Sequence, residues 1–322
     1  MEESRTAIVA AFLANLGIAV AKLVGFLVTG AASLAAEAVH SLADTANQGL
    51  LFLGGVRARR APDPTHPFGY GRERYFWAFV VALLLFTAGG LFALFEAEEK
   101  LRHPHELESL GWAVSILLVA IVLESLSLRT AVHESRAVKG DESWTDFVLH
   151  SKHAELPVVL LEDSGALIGL AFALAGVTLA AVTGNARFDA LGSLGIGILL
   201  VTIALTLATK MKSLLIGESG SPDQVAAVRA TIEAHPAVER LARLRTLQLS
   251  PEELMVIAEV EFDPALDGQQ VAEAIDAVGE AVRERIPEAK VIHLEPEVSH
   301  DPGDGPSPSD QPAAPADPKI TT

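Results

Sequence analysis

From Thr6 to Leu207 the chain is dominated by apolar stretches much longer than a buried strand or a short core helix needs. Six of them approach the roughly 20 residues that carry a helix across a bilayer: 6–29, 31–55, 76–95, 110–128, 156–182 and 190–207. The connections after the first (Thr29-Gly30) and the fifth (183–187) hold only a few residues, which makes each pair an antiparallel hairpin. After Lys212 the periodicity changes. Over 222–234, Val225, Val228 and Ile232 recur at helical spacing. Over 254–262, Val256, Ala258, Val260 and Phe262 alternate with Glu259 and Glu261, the mark of a half-buried strand. Val271, Ala274, Ile275, Val278, Val282 and Ile286 outline an amphipathic helix. Residues 290–295 read as a last strand and 241–249 as a weaker first one. Helix, strand, strand, helix, strand predicts a small α+β sandwich with helices over one sheet face. The reading is therefore an all-α six-helix transmembrane domain over 1–215 and a small α+β domain over 216–297. From 298 to 322, Pro, Asp, Ser and Gly dominate without apolar period, and a disordered tail is expected.

Composition adds exclusions. The chain is 322 residues long with a formal net charge of −17, which argues against a nucleic-acid partner. It has no cysteine, so any metal must bind through His, Asp, Glu or amide oxygen. No GxxxxGK[ST] loop is present, which fits a secondary process rather than an ATP-driven one. Arg57, Arg59, Arg60, Arg72 and Arg74 follow the second segment, and Lys210 and Lys212 follow the sixth. By the positive-inside rule these regions and both termini are cytoplasmic. The acidic N-terminus runs straight into an apolar segment, so no targeting peptide is expected, and a bacterial cell (inner) membrane is the expected location.

The polar residues inside the apolar segments carry the chemistry, because an ionised group at mid-membrane costs about 2.5–3.5 kcal/mol on insertion scales. Segment two holds Glu37, His40, Asp44, Asn47 and Gln48. His40 and Asp44 are four apart, one above the other on one helix face, and can grip one ion. Segment five holds adjacent Glu162 and Asp163, which point about 100° apart, so only one is expected to face a shared centre. Two carboxylates and a neutral imidazole suit a borderline divalent cation. The competing reading is a helix–helix hydrogen bond or a snorkelling end group. Structural roles are expected for Asn15, Lys22 and Glu124, with Lys22 paired to an acid.

Five segments together resemble the cation diffusion facilitator family of divalent-metal transporters. They are Ser33-Leu-Ala-Ala-Glu-Ala-Val-His-Ser-Leu-Ala-Asp44, His66-Pro-Phe-Gly-Tyr-Gly-Arg-Glu-Arg74, Asp189-Ala-Leu-Gly-Ser-Leu-Gly-Ile-Gly197, Val158-Val-Leu-Leu-Glu-Asp163 and Thr45-Ala-Asn-Gln-Gly-Leu50. The last two look most like the zinc transporter 9 branch. The resemblance implies a homodimeric proton antiporter in the bilayer, not an enzyme, exporting Zn2+ (or Mn2+, Fe2+, Co2+) without a prosthetic group, and a small α+β cytoplasmic domain of ferredoxin-like, metallochaperone-like fold. It implies His40 and Asp44 as one ligand pair and Asp163 in the other. That pair's second position falls at Val159, which cannot bind metal, leaving three ligands plus water or a contribution from Glu162, Asn47 or His153. Relatives' further sites would fall at Asp63 and His66, with Tyr70 in a third ligand's place, and at Glu259, His293 and Glu295. A loop held by Pro64, Pro67 and Gly69 and a solvated sheet face are the respective alternatives. A membrane-anchored metal sensor, worked by its cytoplasmic domain, is the competing function.

Overall fold

The computed structural model describes residues 2–30, 32–103 and 110–297, so the tail over 298–322 lies outside the described residues, as does the Asn15 side chain. The chain divides into two compact units, one of Met1–Ser221 with Leu247–Leu254 and one of Pro222–Thr246 with Met255–Thr322.

Up to Ser221 the elements of the first unit among the described residues are helices: α1 (Glu2–Thr29), α2 (Ala32–Ala58), α3 (Glu73–Leu84), a π-helical stretch (Leu85–Leu91), α4 (Phe92–Arg102), α5 (Leu110–Lys139), the short α6 (Trp144–His150), α7 (Glu155–Thr183) and α8 (Arg187–Ile216). α3, the π stretch and α4 form one continuous run, Glu73–Arg102. Apart from residue 31, which lies outside the described residues, the six expected apolar segments fall within helices of 27–30 residues, counting that run as one. At about 1.5 Å per residue each exceeds the ~30 Å hydrocarbon core. Among the described residues four are long and apolar enough on their own to cross a membrane: Glu73–Arg102, Gly111–Lys139, Glu155–Thr183 and Arg187–Ile216. In α2, Glu37, His40, Asp44, Asn47 and Gln48 dilute the hydropathy that its length would otherwise supply.

The unit is inverted relative to a water-soluble bundle. Lys22, Glu37, His40, Asn47, Glu124, Glu162 and Ser193 are buried, whereas Val20, Leu27, Val119, Leu126, Ile198 and Leu205 are exposed. An apolar outside and a polar inside suit a hydrocarbon surround, where only the interior can satisfy polar groups. Leu34, Leu117, Leu170, Ile196, Leu200 and Leu207 fill the space between.

Two glycines in left-handed backbone make the tight hairpins. Gly30 (φ 65°) turns α1 into α2, and Gly184 (φ 66°) caps α7 before α8. α7 and α8 then approach backbone to backbone. A Cβ on Gly176 would lie 2.9 Å from the Phe188 carbonyl, and one on Gly192 would lie 2.9 Å from the Phe172 carbonyl. Small residues permit such contact between membrane helices.

Beyond α8, Glu218 gathers Lys152 (2.6 Å) and Lys210 (2.9 Å). Burial would raise its carboxyl, but hydrogen bonds from Lys152, Ser213 and Lys210 outweigh it and hold the carboxyl down at about 2.

Over residues 222–297, α9 (Pro222–Glu233) and α10 (Gly268–Arg285) accompany a three-stranded sheet in the order β1 (Val238–Ser250), β2 (Glu253–Phe262), β3 (Val291–Glu297). β2 and β3 run parallel, from Met255 opposite Val291 to Glu261 opposite Glu297. A reciprocal cap between Asp267 and Gln270 starts α10. Val256, Ala258 and Val260 are buried with Val228, Ile232, Val278 and Val282, so the alternation in β2 marks its core face. Glu261, expected on the polar face, is buried and paired with Arg240.

Gly176→Val and Gly192→Val should each separate α7 from α8 and destabilise the protein by about 1–3 kcal/mol, the usual cost of overpacking, measured as thermal unfolding in detergent. Because the Glu218 carboxyl is depressed on folding, its contribution is present above its ordinary value of 4.5 and lost as pH falls through about 2. Glu218→Gln should therefore cost on the order of 1 kcal/mol at pH 7, with the gap to wild type closing as pH drops from 5 to 2.

Candidate metal centre

α2 packs against α1, α3, α7 and α8, so its polar side chains face the middle of the bundle. His40 is fully buried, and its Nδ1 stands 3.4 Å from Asp44 Oδ1, one turn along the helix. The pair is close but not aligned as a hydrogen bond. His40 Nδ1 and Nε2, Asp44 Oδ1 and Asn47 Oδ1 are all buried without a hydrogen-bond partner among the described residues. Leaving a buried polar group unsatisfied costs about 1–3 kcal/mol, and here four such atoms lie within two turns of one helix.

α7 presents its two acids in different directions, as adjacent helical positions must. Glu162 accepts a hydrogen bond from Asn47 Nδ2 at 2.6 Å, joining α7 to α2. Asp163 accepts one from Ser127 Oγ at 2.8 Å, joining α7 to α5. Asp44 lies within electrostatic reach of Glu162, Glu124 and Asp163. The bundle thus brings His40, Asp44, Asn47 and Glu162 together across α2 and α7, with Asp163 on the neighbouring side of α7. Among the described residues no three His, Asp or Glu side chains converge tightly enough to hold one ion. His153 sits in the connection before α7, its amide bonded to Ser151 Oγ, nearly three turns from Asp163. Val159 is a partly buried packing residue.

The π-helical stretch passes beside His40. A Cβ on Gly89 would lie 4.0 Å from His40 Nδ1 and 3.2 Å from Leu200. A single-turn π insertion widens a helix locally and is frequent at functional sites. Nothing in the sequence distinguished it from ordinary α-helix. Ser127 was equally illegible, since its role depends on where α5 meets α7.

A second buried group adjoins this centre. Lys22 Nζ donates to Glu37 Oε2 at 3.0 Å and to Ser41 Oγ at 2.6 Å, and it stands 3.6 Å from Glu124 Oε1. Lys22 is paired with acids, as its place in an apolar segment required.

In the loop after α2, Asp63 and His66 approach to 3.6 Å, but the Asp63 oxygens are already engaged. Oδ1 accepts the amides of Thr65 and His66, and Oδ2 accepts Tyr70 OH at 2.6 Å. The Tyr70 bond and those amides hold the exposed Asp63 carboxyl below the usual aspartate range. Arg60 stacks over the Tyr70 ring, and His66 packs against it. In the sheet, Glu259 is directly opposite Glu295, and Ile257 opposite His293. His293 and Glu295 are exposed, and Glu259 is bonded to Arg243 at 3.1 Å.

Residues 8–216 match the family model described as the cation efflux transmembrane domain, and residues 221–297 match the cation efflux protein cytoplasmic domain. The chain is 37% identical over 244 residues to the proton-coupled zinc antiporter SLC30A9, mitochondrial, of Xenopus laevis, covering 75% of this chain and 44% of that protein. It is 36% identical over 245 residues to the Homo sapiens protein of the same name, covering 75% and 43%. The cation-efflux pump FieF of Pectobacterium atrosepticum is 29% identical over 300 residues, covering 90% and 92%. The chain thus spans less than half the length of the zinc antiporters it matches.

Asn47→Leu strands a buried Glu162 carboxylate and should destabilise the bundle by about 1–3 kcal/mol. Replacing both partners, Asn47→Leu with Glu162→Leu, should recover most of that loss in the same thermal-unfolding measurement.

Proposed function

The chain belongs to the cation efflux, or cation diffusion facilitator, family in its zinc transporter 9-like branch, and on that premise we propose that it is a secondary transporter exporting divalent metal cations, Zn2+ foremost, in exchange for protons. The observation that carries this is the run of unpartnered atoms on α2: both His40 nitrogens, Asp44 Oδ1 and Asn47 Oδ1. A divalent cation would satisfy donors that the protein itself leaves bare. Asp163 and Glu162 from α7 complete the acidic surround, and Ser127 and Asn47 orient them, as outer partners of metal ligands do.

Exchange follows from the ligand chemistry. Metal needs a neutral imidazole and ionised carboxylates, so metal arrival expels protons and proton arrival expels metal. The helices then expose the centre alternately to the two sides, which is how a site near the bilayer midplane serves transport. The cytoplasmic unit is proposed to pair two protomers, in keeping with its family match. In the membrane the Arg57–Arg74 side and both termini face the cytoplasm. The Asp63 loop serves as a structural connection, since its carboxylate is fully used internally. The β2–β3 face, with Glu259 opposite Glu295 and His293 nearby, is a weaker accessory metal position.

Inside-out vesicles with an imposed pH gradient test the reading. His40→Ala and Asp44→Ala should each lower Zn2+ uptake by at least about 100-fold, and collapsing the gradient should slow wild type. Unchanged transport in either variant removes the proposed centre. Calorimetric titration of Asp163→Ala and Glu162→Ala with Zn2+ then identifies which α7 acid is a ligand, because that variant alone should lose about tenfold or more in affinity.

A further inference from the structure

Lys22, Glu37, Ser41 and Glu124 form a buried group built on three helices and separate from the cargo ligands. The Lys22 side chain is fully buried, and its ammonium has three donors and three neighbours: Glu37 Oε2 (3.0 Å), Ser41 Oγ (2.6 Å) and Glu124 Oε1 (3.6 Å). Ser41 follows His40 directly, and Glu37 lies one turn before it, so α2 carries both groups on adjoining sides. The other Glu37 oxygen, Oε1, is buried without a hydrogen-bond partner among the described residues and is seated against Gly169 of α7, where a Cβ would lie 2.5 Å from it.

A pair of this kind could be a mere brace between α1, α2 and α5. Charge balance argues for more. Asp44, Glu162, Asp163, Glu124 and Glu37 are five acids in one membrane interior, and Lys22 is the one buried Lys or Arg near them among the described residues. A fixed cation beside the centre attracts its carboxylates and repels the divalent cargo, through a medium in which charges interact far more strongly than in water.

We propose that Lys22 is a tethered counter-charge to the transport centre: its ammonium, held by Glu37, Ser41 and Glu124, offsets the centre's acids when cargo has left and weakens cargo binding enough for release. The inference rests on the proposed transport centre. Lys22 is a positioning residue in this role and touches no cargo ligand. Its loss deepens the negative well, so cargo binds more tightly, leaves more slowly, and the unloaded protein crosses its return step less readily.

The test is Zn2+ titration and proteoliposome flux on full-length wild type, Lys22→Gln, Lys22→Arg, Lys22→Gln with Glu37→Gln, and Asp44→Ala. Lys22→Gln should bind Zn2+ about tenfold more tightly or better, with KM and kcat both lowered. Lys22→Arg should resemble wild type, and the double variant, which removes one charge of each sign, should return affinity toward wild type. A brace alone predicts weaker or unchanged binding in Lys22→Gln and no recovery in the double variant; either result overturns the proposal. Wild-type affinity in Asp44→Ala would sink the transport centre and this inference with it. Lost affinity in Asp44→Ala with unchanged affinity in Lys22→Gln sinks the inference alone.

Discussion

Every ionisable group placed in hydrocarbon must find its compensation inside the protein, and that constraint organises the membrane unit. Hydrocarbon does not solvate Lys22, Glu37, Glu124, Glu162 or Asp163, so each must meet a partner from another helix or remain costly. The partners found are Glu37 for Lys22, Asn47 for Glu162 and Ser127 for Asp163. These bonds link α1 to α2, α2 to α7, and α7 to α5. Polar contacts therefore set which helices are neighbours, and the glycine contacts of α7 with α8 set how closely they pack.

Against this background the unpaired atoms stand out. At Lys22, Glu162 and Asp163 the buried polar groups pair. Around His40 they do not, although the residue is fully buried and Asp44 is one turn away. The same criterion separates the other candidates. The Asp63 oxygens are saturated by the loop's own amides and Tyr70, and Glu259 is occupied by Arg243.

α2 performs both tasks at once. One side of it carries Glu37 and Ser41 to Lys22, the other carries His40 and Asn47 toward the centre, and Asp44 lies between them. An α-helix turned by about 100° per residue allows this in fewer than three turns. Its price is a hydropathy too low to mark it as a span by composition, so α2 depends on the surrounding helices for its place in the bilayer. The adjoining π-helical stretch of the third span passes close to His40 at Gly89, whose missing side chain leaves room for Leu200.

Much of this was legible in the amino-acid order. Apolar runs of bilayer length located the helices, alternation in 254–262 located β2, and the four-residue step from His40 to Asp44 placed two ligand types on one face, because these patterns depend only on local geometry. The need for Lys22 to meet an acid was equally clear, since burial of a lone charge is prohibitive. Which acid it meets was not. Neither was the division of labour between Glu162, which turns to α2, and Asp163, which turns to α5, nor the roles of Ser127, Ser41 and Gly169. Those depend on contacts between residues as many as 132 positions apart (Glu37 to Gly169), fixed by how the helices rotate and pack about one another. Local periodicity says which face of a helix is polar; only the packed bundle decides what that face meets.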